Sequence, residues 1–333
     1  LKLKGVEISD EEANALCIAI LLHDIGHGAF SHALEQSIVT GIHHEAISLK
    51  FMEALNDEFS GQLTLAITIF TEKYHRKFLY QLISSQLDMD RLDYLNRDSF
   101  YTGVAEGNIS SERLIAMLNV KEDNLVIEEK GIYSVEKFIV ARRLMYWQVY
   151  LHKTGLVAEK LLGKILKRAK ELSLLGVELP ASKAFTYFLN HQISEDNFTL
   201  ETLKTFAKLD DYDVFSAIKE WISHDDKVLS KLSENLVNRM LPKVILQKEP
   251  FTELQINEIK QEVKSTFELS NSELDYFVYH GKIQNQAYDA TKNNIRILYK
   301  NGIIKDVTEA SDHLNLQALS NTVYKYYICY PKK

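Results

Sequence analysis

The sequence predicts a mainly α-helical protein. A helical domain is expected over residues 1–178, and over 179–333 a lobe that is first helical and then α+β with an antiparallel sheet. Three observations carry this expectation. Gly (13) and Pro (4) are scarce among 333 residues, which favours long helices over turn-rich β architecture. Apolar residues recur at three- and four-residue spacing through most of the chain before Pro242. After Pro242 the pattern changes to β-branched and aromatic runs.

Ser9 and Glu12 have the spacing of a capping box. The following EEANALCIAILLHDI reads as a helix with Leu16, Cys17 and Ile20 inward, ending near Gly26. A glycine-punctuated turn then leads into FSHALEQS, HEAISLKFMEALNDEF is another helix, and residues 62–98 hold two or three more. Ser134 to Leu174 lacks proline and reads as one very long helix or two stacked ones. Helical patterns continue past Pro180 to about Arg239. KVILQKEP, YFVYHGKI, NIRILYKNGIIKDV and TVYKYYICYP read as strands, with Asn301-Gly302 as a two-residue hairpin and LQINEIKQEVKSTF as an amphipathic helix among them.

A net charge of −7 argues against a broad nucleic-acid face but allows a local basic pocket for a phosphorylated small molecule. Cys17 and Cys329, far apart in apolar surroundings, read as reduced core residues of a cytosolic protein. The longest apolar run, Leu16 to Leu22, is far short of the ~20 residues that span a bilayer, and no signal peptide is visible. The first residue is Leu, inside LKLKGVEIS, so the natural protein is expected to begin upstream.

The histidines are unevenly spread. Eleven in 333 residues would place fewer than one in a 22-residue window, yet residues 23–44 hold His23, His27, His32, His43 and His44. Imidazole and carboxylate are good ligands for Zn, Mn or Fe, and an adjacent His23-Asp24 pair at the end of an apolar helix is well compensated by a cation. A capped helix end with one hydrogen-bonded pair is the plainer alternative. Further on, SQLDMDRLDYLNRD places Asp90, Tyr94 and Arg97 on one helical stripe with Asp98 beside it, and Leu87, Leu92 and Leu95 supply the apolar contacts.

Taken together, HDIGHGAFSH, HHEA, LDMDRLDYLNRDSFYTG and ARRLMYWQVYLHKT resemble the HD-domain metal-dependent phosphohydrolases. Within them the strings are most similar to the dNTP triphosphohydrolase branch, which holds the bacterial dGTP-activated dNTPases and the human SAM- and HD-domain dNTPase. The resemblance runs from about residue 9 to 170. It implies one divalent transition metal (Mn, Fe, Zn or Ni), with Mg accompanying the substrate triphosphate. His23, Asp24 and Asp90 match its metal ligands, and a further His ligand is expected upstream of residue 1. His27 and His32 match histidines lining the α-phosphate, and Glu35 an acidic partner one turn on. His44, steadied by Glu45, matches the group that protonates the leaving oxygen; His43 receives no role. Arg91, Tyr94 and Asp98 match phosphate and sugar contacts, Arg142 a triphosphate-binding arginine, and Tyr150 the aromatic wall that excludes a 2′-hydroxyl. His152, Lys153, Arg113, Arg239 and Lys243 fall at or near positions of a regulatory nucleotide. Leu151 stands where the human enzyme has a base-contacting glutamine, so base preference does not carry over.

The implied activity is hydrolysis of a dNTP, of the dGTP type, to deoxynucleoside and triphosphate by a cytoplasmic homo-oligomer, a dimer or tetramer, with dGTP or GTP as activator. Two alternatives stay open: an HD-type nucleotidase or phosphodiesterase acting on another nucleotide, and a non-catalytic HD nucleotide-sensing scaffold.

Overall fold

The computed structural model describes residues 1–39, 41–291, 294–312, 316 and 319–332; for His32 and Gln36 it describes the backbone alone. The chain forms two compact units, each assembled from segments distant in sequence: residues 1–23, 55–152 and 284–324 in one, and residues 24–54, 153–283 and 325–333 in the other. The expected boundary between residues 178 and 179 falls within one continuous segment of the second unit, residues 153–283.

In the first unit the Asp10–Leu22 helix begins as expected: Ser9 Oγ accepts the Glu12 amide and the Glu12 carboxylate accepts that of Ser9. Its buried face differs from the expectation. Ala15 and Ala19 are buried along with Glu12, whereas Leu16 and Ile20 are only half-buried and Cys17 is exposed. Small residues let this helix approach the Thr64–Phe70 and Lys77–Ile83 helices closely. Glu12 enters that contact because Arg76 and Tyr74 meet its carboxylate. Leu87, Leu92 and Leu95 are buried, as their spacing implied.

The long stretch near residues 134–174 is two helices, Ile132–Met145 and Lys153–Leu174, separated by a π-helical turn over Tyr146–Tyr150. A four-stranded sheet in the order β1-β2-β5-β6 completes the unit, with β1 at Leu118–Lys121, β2 at Asn124–Glu128, β5 at Arg296–Leu298 and β6 at Ile304–Asp306. The β1–β2 hairpin has no Gly or Asn at its turn; Glu122 (φ 52°) and Asp123 (φ 54°) take the left-handed conformation instead, so the usual sequence signal is missing. The β5–β6 connection is also not the expected two-residue turn. Tyr299 N–H bonds Ile303 O and Gly302 N–H bonds Tyr299 O, giving a three-residue loop with Gly302 left-handed at φ 85°.

The second unit is organised by the Lys153–Leu174 helix, whose stripe of Leu161, Leu162, Ile165, Leu166, Ala169 and Leu172 is buried. Around it lie helices Lys183–Asn190, Leu200–Phe206, Asp211–Trp221 and Lys227–Val237, which bury Phe185, Phe188, Phe206, Trp221 and Leu229. A three-stranded sheet runs β3-β7-β4, with β3 at Lys243–Gln247, β4 at Tyr279–Asn285 and β7 at Val323–Tyr330; β3 and β7 are antiparallel. Cys329 on β7 is fully buried, and burial pushes its thiol up to about 12. No helix among the described residues is long and apolar enough to cross a membrane.

Candidate active site

His23 caps the C-terminus of the Asp10–Leu22 helix, where the last carbonyls lack intrahelical partners. Its Nδ1 lies 2.7 Å from one of them, Ile20 O. A proton on Nδ1 satisfies that contact and places the acceptor lone pair on Nε2, the arrangement found behind metal-bound histidines. Nε2 faces Asp90 Oδ1 across 3.9 Å, a gap that one cation bonded to both would span. Asp90 stands in the first turn of the Met89–Thr102 helix, whose N-cap is Asp88. Asp88 is itself buried; burial lifts its carboxyl above the usual range, while Arg91 and the amides of Arg91 and Ser85 oppose the lift. The donor set in this unit therefore fits a divalent metal. Asp24, its third expected ligand, follows His23 in the chain.

Five residues of the same unit form an aromatic and charged cluster. The Tyr150 hydroxyl donates to Asp98 Oδ2 at 2.6 Å. Tyr94 and Tyr146 meet the Tyr150 ring edge-on, with centroids 6.0 and 5.1 Å away. The Arg142 guanidinium lies 5.9 Å from the Tyr146 ring, and its Nη1 donates to Ala287 O at 3.3 Å. Burial pushes the Tyr94 phenol up to about 12, with Tyr146 adding to the effect, and burial followed by the Asp98 contact raises Tyr150 further. Both phenols are thus neutral hydrogen-bond groups at physiological pH. Arg91 donates to Asp88 and to Ser85 O. Arg97, placed on the Asp90–Tyr94 stripe by its spacing, is instead exposed and paired with Asp93 at 2.9 Å. Tyr146 is the member the sequence did not single out; its signal was the four-residue spacing to Tyr150.

The second unit holds the histidine loop. Asp24 Oδ1 lies 3.8 Å from His27 Nε2, and the His27 and His44 rings stack at 3.9 Å and 16°. Glu35 faces His44 of this pair and the neighbouring His43: its Oε2 is 3.5 Å from His44 Nδ1 and its Oε1 3.1 Å from His43 Nδ1. Glu45, expected to steady His44, is exposed in the first turn of the His44–Glu58 helix. The His32 side chain lies outside the described residues. The loop's glycines are required for close approach rather than for turning. A Cβ on Gly26 would fall 2.1 Å from His44 O, and Gly26 N–H donates to Ser48 Oγ at 2.9 Å. The left-handed positions are Phe30 and Ser31.

The expected regulatory residues are all exposed. Arg113, which donates to Lys130 O, and His152 lie in the first unit. Lys153, Arg239 and Lys243, the last with its ammonium 5.5 Å from the Tyr330 ring, lie in the second.

A crystal structure of a phosphohydrolase from Bacteroides thetaiotaomicron superposes with a TM-score of 0.95 at 53% identity, covering 100% of this chain and 83% of that one. The protein YwfO of Bacillus subtilis is 32% identical over 350 residues, 99% of this chain and 76% of its own. A family model described as the HD associated region matches residues 109–178. The chain belongs to the HD-domain phosphohydrolases. A more distant member of this HD family, the deoxynucleoside triphosphate triphosphohydrolase SAMHD1 homolog of Dictyostelium discoideum, is 28% identical over 197 residues, 54% of this chain and 38% of its own. HD phosphohydrolases use divalent metals, and the His and Asp groups described above are the candidates for one here.

Proposed function

We propose that this HD phosphohydrolase hydrolyses deoxynucleoside triphosphates to deoxynucleoside and inorganic triphosphate. The single observation that carries the reading is the Tyr150–Asp98 hydrogen bond inside the Tyr94–Tyr146–Tyr150 cluster, with Arg142 beside it. A carboxylate and a phenol fixed on each other, walled by aromatic rings, suit the hydroxyl and flat faces of a deoxyribose, and a guanidinium nearby suits its phosphates.

In this reading His23, Asp24 and Asp90 hold the metal, which supplies charge neutralisation at the phosphoryl oxygens and acidifies water. Arg142 and Arg91 bind phosphate, and Asp98 with Tyr150 orients the sugar. His27 and His32 contact the α-phosphate. His44, its Nδ1 turned towards Glu35, presents Nε2 to the departing ester oxygen and delivers the proton that this oxygen needs. Nucleotide activation through His152, Lys153, Arg113, Arg239 and Lys243, and assembly as a homo-oligomer, belong to the same proposal.

The test is incubation with each of the four dNTPs, the four NTPs and the corresponding nucleoside monophosphates in Mn or Mg, with and without dGTP or GTP, resolving products by ion exchange. Deoxynucleoside with intact triphosphate is the expected result. Orthophosphate released from nucleoside monophosphates would make the protein a nucleotidase, and intact nucleotides throughout would overturn the reading.

A further inference from the structure

The loop that carries His27 and leads into the His32–Ser37 helix has a backbone that side-chain-bearing residues seldom adopt. Phe30 and Ser31 have φ of 51° and 44°, and neither is glycine. Two consecutive left-handed residues persist only where their surroundings hold them. Within the loop, Ser31 N–H bonds Gly28 O at 2.8 Å and Ala33 N–H bonds Phe30 O at 3.1 Å. From outside it, the Phe30 amide donates to Asp211 Oδ1 at 2.7 Å, across 181 residues of sequence.

Asp211 is well placed to act as a fixed post. It opens the Asp211–Trp221 helix, but Asp210 does the capping, with Oδ1 accepting from the amides of Tyr212 and Asp213. The Asp211 carboxylate is left to the loop. The helix is anchored by buried Val214, Ala217, Ile218 and Trp221, and Trp221 Nε1 donates to Pro180 O at 3.0 Å. Just upstream, Phe206 fills the space that a Cβ on Gly28 would need, at 2.9 Å.

We propose that Asp211 is a positioning residue for the histidine loop: by accepting the Phe30 amide it holds the left-handed Phe30–Ser31 turn, and through it the setting of His27 and the start of the His32–Ser37 helix. The kinetic consequence rests on the roles proposed above for His27 and His32; the tie itself does not.

Asp211→Ala and Asp211→Asn are compared with the wild type by hydrogen–deuterium exchange over residues 26–34, by bound metal, and by kinetics on the nucleotide that the wild type hydrolyses fastest. Asp211→Ala should speed exchange at the Phe30 amide about tenfold and lower kcat about three- to tenfold, with KM and metal content unchanged. Asp211→Asn keeps an acceptor oxygen and should restore both. Unchanged exchange in Asp211→Ala overturns the proposal, as does faster exchange with unchanged kcat, or an Asn variant as impaired as the Ala one. Exchange needs no substrate, so failure of the dNTP reading would appear separately, as a wild type inactive on dNTPs.

Discussion

Tyr150 and Asp98 lie 52 positions apart in the chain and 2.6 Å apart in space, phenol to carboxylate. Tyr150→Phe keeps the ring and removes the donor. A hydrogen bond to a charged group contributes about 1.5–3 kcal/mol. Part of that is regained by water at a half-exposed site, so kcat/KM for a dNTP should fall about 5- to 30-fold. Steady-state kinetics on both dNTP and NTP check this, and the ratio between them should move towards the ribonucleotide.

Glu35 and Glu45 offer a sharper comparison. Glu35 touches both His43 and His44, whereas Glu45 is exposed. Glu35→Gln should lower kcat about 10- to 100-fold, in the range of a disturbed general acid, while Glu45→Gln stays within about twofold. Equal losses in the two variants would return the role to Glu45.

Metal binding is tested on the 3.9 Å His23–Asp90 pair. Asp90→Ala and His23→Ala should each lose bound metal in elemental analysis, and chelation of the wild type should abolish hydrolysis until Mn is restored. Asp93→Ala, on the same helix but exposed and paired with Arg97, is the control and should keep its metal. An Asp90→Ala protein with full metal content would sink the assignment.

Stability in acid should depend on Glu12. Burial pushes its carboxyl up, but the Ser9 amide, the Arg76 guanidinium and the Tyr74 hydroxyl outweigh burial and hold it below the usual range. A depressed carboxyl contributes stability that is present above its unfolded value, near 4.5, and lost as pH falls through the lower folded value. Melting curves between pH 3 and 7 should therefore show a loss below about pH 4.5 in the wild type that is shallower in Glu12→Gln. Arg76→Ala strands a carboxylate only 9% exposed and should cost about 2–4 kcal/mol at neutral pH.

The sequence and the structure part company at identifiable places. Capping and periodicity located the first helix, but its contact face was chosen by close packing of Ala15 and Ala19, which displaced Cys17 to the surface. The hairpin at residues 118–128 was invisible because its left-handed turn uses Glu122 and Asp123, without the usual glycine or asparagine. At the site, adjacency and helical spacing drew attention to His23, Asp90 and Asp98, each on a regular helix or at its end, whereas Tyr150, in the π turn, was reached only through the family resemblance. Spacing did not bring Glu35 to His44, because Glu35 arrives from another helix and no local pattern encodes that meeting. The tie between Phe30 and Asp211 was out of reach for the same reason.

The π turn at Tyr146–Tyr150 makes the Tyr150–Asp98 contact depend on a count. Leu151 N–H reaches back five residues to Tyr146 O, at 2.7 Å, so the turn holds about one residue more than an α-helical turn would. One residue is worth about 100° of rotation along a helix. A relative one residue shorter between Met145 and Leu151 could keep all its aromatic letters and still turn the tyrosine equivalent to Tyr150 away from its aspartate. Alignment gaps here, more than substitutions, would mark relatives that lose the Tyr150–Asp98 contact.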